Sequence, residues 1–117
     1  FYDWNVLLDE KGGPNHAGNY CLAPFLYDTE KKELQAQTIQ KHLWHFSHFI
    51  KPGAKRIALS RYTEMLDVTA FVNPDGNVVF VLLNRDEKEK KVVLRLGGQT
   101  VEFVIGSREI CTGEITA

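Results

Sequence analysis

Six consecutive apolar residues, VVFVLL at positions 78–83, constrain the fold more than any other stretch of the sequence. Side chains alternate between the two faces of a β-strand, so a strand without a polar position has to be covered on both faces. We therefore predict that these residues form a central strand of a sheet that is packed on both sides.

The chain from Lys55 onward has the pattern of short strands separated by turns. In the segment LDVTAFV, Asp67 and Thr69 lie on one face, and the opposite face carries the apolar residues Leu66, Val68, Ala70 and Val72. The sequence Asn73-Pro74-Asp75-Gly76 predicts a tight turn, because proline presets φ and Asp and Gly tolerate turn conformations. The spacing predicts a β-sandwich built from the segments KRIALS, LDVTAFV, VVFVLLN, KKVVLRL, TVEFVI and REICT.

The first half of the chain has a different pattern. Residues 38–50, TIQKHLWHFSHFI, carry apolar side chains at helical spacing and predict an amphipathic helix that ends at Lys51-Pro52-Gly53. Before it, APFLYD predicts a short strand, and TEKKELQAQ fits either a turn with a polar strand or the first turns of the helix. This order indicates a barrel-like or α/β piece joined to the sandwich at about residues 51–55.

Length and composition exclude several classes of protein. A chain of 117 residues can bury a core as a single domain, and no apolar run approaches the ~20 residues that span a bilayer. Fourteen Lys and Arg against fifteen Asp and Glu give a net charge of -1, and the scattered basic residues disfavour nucleic acid as a partner. Cys21 and Cys111 are compatible with two free thiols or with one disulfide.

The long loop near the start of the chain is the candidate binding site. Asn15, His16 and Asn19, with Trp4 and Asn5 upstream, offer a flat ring and amide groups, which proteins use to bind sugar rings and hydroxyls. The alternative is a loop in which Asn and Gly only form turns. Spacing alone leaves both interpretations open.

Several motifs, in order along the chain, carry a family resemblance: WNVLLDEKGGPNHAGNY, APFLYD, HLWHFSHFIKPGAKRIAL and VNPDGNVVFVLLNRD. Together they resemble the C-terminal part of glycoside hydrolase family 30, the family of glucosylceramidases and bacterial β-1,6-glucanases. The resemblance implies a (β/α)8 barrel with an attached β-sandwich, which is shared between a short N-terminal portion and the last part of the chain.

The implied fold class is mainly β with one major helix, a C-terminal β-sandwich preceded by the last strand-loop-helix unit of a (β/α)8 barrel. Residues 1–52 would form that incomplete barrel unit, and residues 53–117 would form the C-terminal part of the accessory sandwich. By the same resemblance, Trp4 lines the glucose subsite and Asn19 lies at its rim. The alternative for Trp4 is a core tryptophan that closes the top of the barrel.

The implied reaction is retaining hydrolysis of β-glucosidic bonds, which uses two carboxylates about 5 Å apart. In the family both are glutamates at the ends of earlier barrel strands, and nothing in this chain corresponds to either. We therefore expect the parent protein to be a glycosidase acting on a β-glucoside or β-glucan, and this chain alone to be inactive, with no catalytic residue, metal or cofactor. The parent is expected to be secreted, periplasmic or lysosomal.

Two other sets of residues invite a catalytic or metal interpretation that the pattern disfavours. Asp9 and Glu10 are neighbours in a solvated turn, with no reason to take different roles in acid-base chemistry. His42, His45 and His48 recur every third residue, so the first and last diverge by about 120° around a helix and cannot face one ion together. Packing is the favoured interpretation for these histidines.

The competing hypothesis is a non-catalytic carbohydrate-binding or structural β-sandwich module. Its sign would be a row of exposed aromatic side chains on one sheet face, for which Tyr62, Phe71, Phe80 and Phe103 are available. We also expect the chain to self-associate through an unpaired sheet edge, because such edges pair with other chains.

Overall fold

The structure, a computed structural model, describes residues 5–117. Its contacts divide the chain into two compact units, one that extends to Trp44 and one from His45 to Ala117. Trp4, the tryptophan assigned to the glucose subsite, lies outside the described residues. Among those residues the structure is predominantly β with one α-helix, as the sequence predicts.

The first unit contains a three-stranded sheet. Strand β2 (Phe25–Asp28) lies in the middle, parallel to β1 (Leu7–Asp9) and antiparallel to β3 (Glu33–Ala36). The stretch TEKKELQAQ therefore forms a turn and a polar strand, the first of the two predicted alternatives. Asp28 fixes this turn, since its Oδ1 accepts hydrogen bonds from the backbone N–H groups of Glu30 and Lys31 at 3.1 and 2.9 Å.

Helix α1 (Thr38–Ser47) begins in the first unit and ends in the second. The prediction of a helix to Ile50 was three residues too long. The backbone N–H of Lys51 does not continue the helix, because it donates to the side-chain Oδ1 of Asn73 at 3.0 Å. Pro52 follows directly, and the residue before a proline avoids helical conformation.

The second unit contains a four-stranded antiparallel sheet in the order β4-β5-β6-β9. Its strands are β4 (Lys55–Ile57), β5 (Leu66–Val72), β6 (Val78–Asn84) and β9 (Ile110–Ile115). The segment KRIALS is in a strand only for its first three residues, so that prediction was also too long. The chain then enters a loop in which Arg61 donates to the Leu66 carbonyl at 3.0 Å and to Asp67 at 2.8 Å.

A two-stranded hairpin forms the second layer of the sandwich. Strands β7 (Lys90–Leu96) and β8 (Gln99–Ile105) pair antiparallel across the Gly97-Gly98 turn. The core joins the two layers: Leu82 of β6, Val92 of β7 and Ile105 of β8 are each at most 4% exposed and contact one another. The predicted β-sandwich is thus confirmed.

Strand β6 is central and covered on both faces, as its sequence requires. It lies between β5 and β9, and Leu82 points into the core with the hairpin. Val79 and Val81 point the opposite way and are only 0% and 4% exposed. Their burial shows that this face of the sheet is covered as well.

Gly113 in β9 provides a test of how closely the sandwich is packed. It pairs with Phe80 of β6, and a Cβ atom placed on Gly113 would lie 2.1 Å from the tip of the Phe80 ring. We expect Gly113→Ala to lower the free energy of unfolding by roughly 1–3 kcal/mol, because the ring has to move out of its packed position. Urea denaturation of the variant and the unmodified chain measures this loss.

A matched pair of variants separates this clash from any other effect of the added methyl group. In a Phe80→Leu background the obstructing ring is gone, so adding Gly113→Ala should cost clearly less than it does alone. An equal cost in both backgrounds would show that the ring does not constrain this position.

Candidate functional site

The loop between β1 and β2 is the candidate site. It spans residues 10–24 and leaves the carboxyl end of β1, a strand that lies parallel to β2. Loops at the carboxyl ends of parallel strands carry the binding residues in barrels and open α/β sheets. The position of the loop therefore agrees with a role in binding.

Local hydrogen bonds give the loop a defined shape. The Gly12 N–H donates to the Asp9 carbonyl at 3.0 Å, and the Cys21 N–H donates to the Gly13 carbonyl at 2.9 Å, which joins the two arms of the loop. Gly12 has a positive φ of 68°, and a Cβ atom there would lie 2.6 Å from the Tyr20 ring. Only glycine fits at this position.

The tip of the loop presents the predicted polar side chains to solvent. Residues Asn15–Ala17 form a 3₁₀ turn that ends at Gly18, whose φ is 65°. Asn15, His16 and Asn19 are all exposed, so their amide and imidazole groups are accessible to a ligand. Asn5, upstream in the chain, is half-buried.

Tyr20 is a candidate binding residue that the sequence interpretation did not single out. Its ring lies against Gly12, and the residue is 66% exposed. Tyrosine combines a flat apolar ring with a hydroxyl, which suits contact with sugars. The available signal was its place directly after Asn19.

The described part of the loop does not enclose a ligand by itself. The cavity between the loop and the sheet, lined by Gly12, Tyr20 and Phe25 among others, has a volume of only about 10 Å³. That is room for about one water molecule and not for a sugar ring. A sugar ring bound at this loop would therefore need further walls from elsewhere.

The two carboxylates at the start of the loop have structural partners. Asp9 Oδ1 accepts a hydrogen bond from the Lys11 N–H at 3.0 Å. Glu10 accepts hydrogen bonds from the Thr29 hydroxyl and from the Thr29 N–H, the latter at 3.2 Å. The Thr29 hydroxyl lowers the pKa of Glu10, with smaller contributions from backbone hydrogen bonds. Glu10 is therefore held in its ionised form, which suits a structural contact and not a general acid.

The three histidines at positions 42, 45 and 48 have separate contacts. His42 Nδ1 lies 2.8 Å from the Thr38 carbonyl, and His45 Nδ1 lies 2.8 Å from the Thr112 hydroxyl. The ring of His48 packs edge-on against Phe49. Within residues 5–117 no group of three potential metal ligands comes together.

Both cysteines are free thiols, which answers the question that the sequence left open. Cys21 is exposed, whereas Cys111 is half-buried in β9 and contacts the sandwich core. Burial raises the pKa of the Cys111 thiol, and the nearby Glu109 carboxylate adds to the effect. A thiol of this kind is a poor nucleophile.

The aromatic side chains of the sandwich do not form an exposed row. Phe80 and Phe103 stack with ring centres 6.1 Å apart next to the core, and Phe71 is half-buried. Of the four residues considered, only Tyr62 is fully exposed, at 99%. The feature expected of a carbohydrate-binding sheet face is absent from these four positions.

Two models of one protein family match this chain. The model described as the glycosyl hydrolase family 30 TIM-barrel domain matches residues 1–50. The model described as the glycosyl hydrolase family 30 beta sandwich domain matches residues 53–112. The two matches follow one another along the chain.

Curated relatives and solved structures agree with these models. The lysosomal acid glucosylceramidase of Mus musculus is 40% identical over 89 residues, which cover 74% of this chain and 17% of that protein. Putative glucosylceramidase 1 of Caenorhabditis elegans is 43% identical over 83 residues, 69% of this chain and 16% of that protein. The chain thus spans about one-sixth of the length of these relatives.

Among solved structures, SrfJ from Salmonella typhimurium superposes with a TM-score of 0.93 at 35% identity, covering 98% of this chain and 26% of SrfJ. An endo-β1,6-glucanase superposes with a TM-score of 0.87 at 30% identity, covering 97% of this chain and 26% of the glucanase. The fold of this chain is therefore the end of a TIM-barrel domain followed by a β-sandwich domain.

The contact between Glu10 and Thr29 makes a prediction about pH. Thr29→Val removes the hydroxyl donor, so the pKa of Glu10 should rise toward its ordinary value. Because the folded pKa of Glu10 is lowered, its contribution to stability is present above the pKa of the unfolded chain and is lost as pH falls through the folded pKa. A ¹³C NMR titration of the Glu10 side-chain carboxyl measures the shift.

Thr100→Val is the matched control, because Thr100 is exposed on β8, in the other compact unit. It should leave the Glu10 titration unchanged. If the pKa of Glu10 were the same in Thr29→Val and in the unmodified chain, the hydroxyl would not be responsible for its lowered value.

Proposed function

Because the chain belongs to glycosyl hydrolase family 30, we propose that it is part of a retaining glycosidase that hydrolyses β-glucosidic bonds, and that it is inactive alone. Its relatives suggest two types of activity, that of a glucosylceramidase and that of a β-1,6-glucanase. Both cleave a bond to a β-linked glucose, so a β-glucoside is the substrate class we propose.

The observation that carries this proposal is the superposition on a glucanase over 97% of the chain at 30% identity. A likeness of this extent includes the β1–β2 loop and not only the sandwich. We propose that residues 1–52 are the last strand-loop-helix unit of the barrel and that residues 53–117 belong to the accessory sandwich.

The loop supports a role in holding the glucose ring. We propose that Trp4 forms one wall of the glucose subsite and that Asn19 hydrogen-bonds a hydroxyl at its rim. The exposed Asn19 amide can both donate and accept, as recognition of a sugar hydroxyl requires. We add Tyr20, exposed beside Asn19, as a second aromatic contact.

The chemistry of retaining hydrolysis explains why we propose that the chain is inactive. The reaction needs a nucleophilic carboxylate and an acid about 5 Å apart on either side of the bond that breaks. At the loop, Asp9 accepts a hydrogen bond from the Lys11 backbone N–H, and Glu10 accepts one from the Thr29 backbone N–H. We propose that the catalytic pair lies on other strands of the parent barrel.

We propose a secreted, periplasmic or lysosomal location for the parent enzyme, which the lysosomal name of the mouse relative supports. Helix α1, the helix in the described part of the chain, has ten residues and is too short to cross a bilayer.

The proposed function predicts a difference between this chain and its intact parent. The purified chain should release no phenol from an aryl β-glucoside, whereas the parent should do so. In the parent, Asn19→Ala should lower kcat/KM about five- to tenfold, the loss expected for one hydrogen bond to the sugar, and Trp4→Ala should lower it further. Release of the coloured phenol measures each rate.

Gln99→Ala is the control, because Gln99 is exposed at the end of the sandwich hairpin and should not affect the rate. Hydrolysis proportional to the concentration of the purified chain would contradict the proposal. So would a parent enzyme whose rate is unchanged by both Trp4→Ala and Asn19→Ala.

The open side of the sandwich supports the proposal that the chain self-associates. Among the described strands, β7 pairs only with β8, so it has a free edge. Beside that edge a cleft of about 870 Å³, lined by apolar residues such as Val68, Phe80 and Leu94, separates the hairpin from the loop after β4. Free edges and exposed apolar surface both favour pairing with a second copy.

We therefore expect the average mass of the isolated chain to rise with concentration in sedimentation experiments. Val93→Lys places a charge on β7 beside the cleft, at a residue that is 45% exposed, and should reduce the association. Tyr27→Lys, at a position 39% exposed in the other unit, should not. A monomer at every concentration would overturn this expectation.

A further inference from the structure

The end of helix α1 lies among side chains of the sandwich strands. The helix ends at Ser47, yet the compact unit that contains the sandwich begins at His45. The last helical residues and the segment that follows are therefore packed with the sandwich. The structure shows which side chains make this connection.

Asn73 bonds the segment after the helix in two ways. Its side-chain Nδ2 donates to the Phe49 carbonyl at 2.9 Å, and its Oδ1 accepts from the Lys51 N–H at 3.0 Å. Asn73 is only 2% exposed. An amide side chain is suited to this position because it carries a donor and an acceptor side by side, as a peptide group does.

Asn73 is itself held in a fixed position. It follows β5 and opens the turn to β6, where its N–H donates to the Asn77 carbonyl and its carbonyl accepts from the Gly76 N–H, both at 2.9 Å. The side chain therefore projects from a rigid turn. Its contact with residues 49–51 needs little further ordering of Asn73.

A second contact joins the helix to β9. The Thr112 hydroxyl lies 2.8 Å from His45 Nδ1 and donates to the His45 carbonyl at 3.3 Å. Thr112 is paired with Val81 of β6, so the two side chains share one face of the sheet. The end of the helix thus lies on the face that carries the buried Val79 and Val81.

An ion pair between Lys51 and Asp75 accompanies these contacts. It raises the pKa of Lys51 and lowers that of Asp75 through their shared hydrogen bond. Both groups are solvent-exposed, so the pair contributes little on its own. The buried amide of Asn73 is the stronger connection, because an unpaired group there would be costly.

We propose that Asn73 is the positioning residue that ends helix α1 and fixes residues 48–51 to the sandwich, so that residues 45–51 fold as part of the sandwich unit. This inference is independent of the proposed activity. It means that the last helical residues, from His45 onward, belong to the sandwich unit. Within that unit, the two hydrogen bonds of the Asn73 side chain to Phe49 and Lys51 form a clamp.

Amide hydrogen exchange of the full 117-residue chain tests the inference. In the unmodified chain the Lys51 amide should be protected, because its hydrogen bond opens only when the clamp opens. Asn73→Ala removes the acceptor of this hydrogen bond. The protection factor of the Lys51 amide should therefore fall by a factor at least about tenfold larger than the factor for the β6 amides. Asn73→Asp keeps the acceptor and should retain more of this protection.

Asn77→Ala is the matched control, because Asn77 lies in the same turn but bonds Glu114 and the Ala117 N–H, not the helix. It should lower the protection of the Lys51 amide no more than that of the β6 amides. An unprotected Lys51 amide in the unmodified chain would overturn the inference, and so would equal losses at Lys51 in Asn73→Ala and Asn77→Ala. Thr112→Val removes the hydroxyl of the second contact and should lower the protection of the amides at the end of helix α1. This variant tests the inference independently if Asn73→Ala does not fold.

Discussion

The structure of the sandwich unit depends on the requirement that β6 be covered on both faces. A strand with apolar side chains at six successive positions cannot present either face to water without a large cost. The neighbouring strands β5 and β9 form hydrogen bonds with the backbone of β6, but they do not cover its two faces. Other elements of the unit have to pack against those faces.

Two different elements provide the cover. The β7–β8 hairpin covers the face that carries Leu82, where the main core lies. On the opposite face, Thr112 beside Val81 contacts His45, so the end of helix α1 lies over that side of the sheet. The last residues of helix α1 thus help to cover this sheet, which explains why the compact unit begins inside the helix.

The sequence predicted the elements whose pattern is local and missed those set by distant contacts. Alternation and turn residues identified the sandwich strands, and TEKKELQAQ was ambiguous because helix propensity and strand pairing compete there. The end of helix α1 depends on Asn73, more than 20 residues away, which no local pattern reveals. The residue types of the loop between β1 and β2 indicated a binding role from the sequence alone. The exposure of Asn19 and the contact of the Tyr20 ring with Gly12 are known only from the structure. Trp4 stays a prediction.

The central claim, that the doubly covered β6 is the most stable element of the chain, can be tested by hydrogen exchange as a function of denaturant. The claim predicts that β6 amides exchange last and only through global unfolding, so that their opening free energies fall with denaturant at the slope of the whole transition. It also predicts faster exchange from β1, β2 and β3. Exchange of β6 through local openings that denaturant does not affect, or equal protection in the β1–β3 sheet, would contradict it.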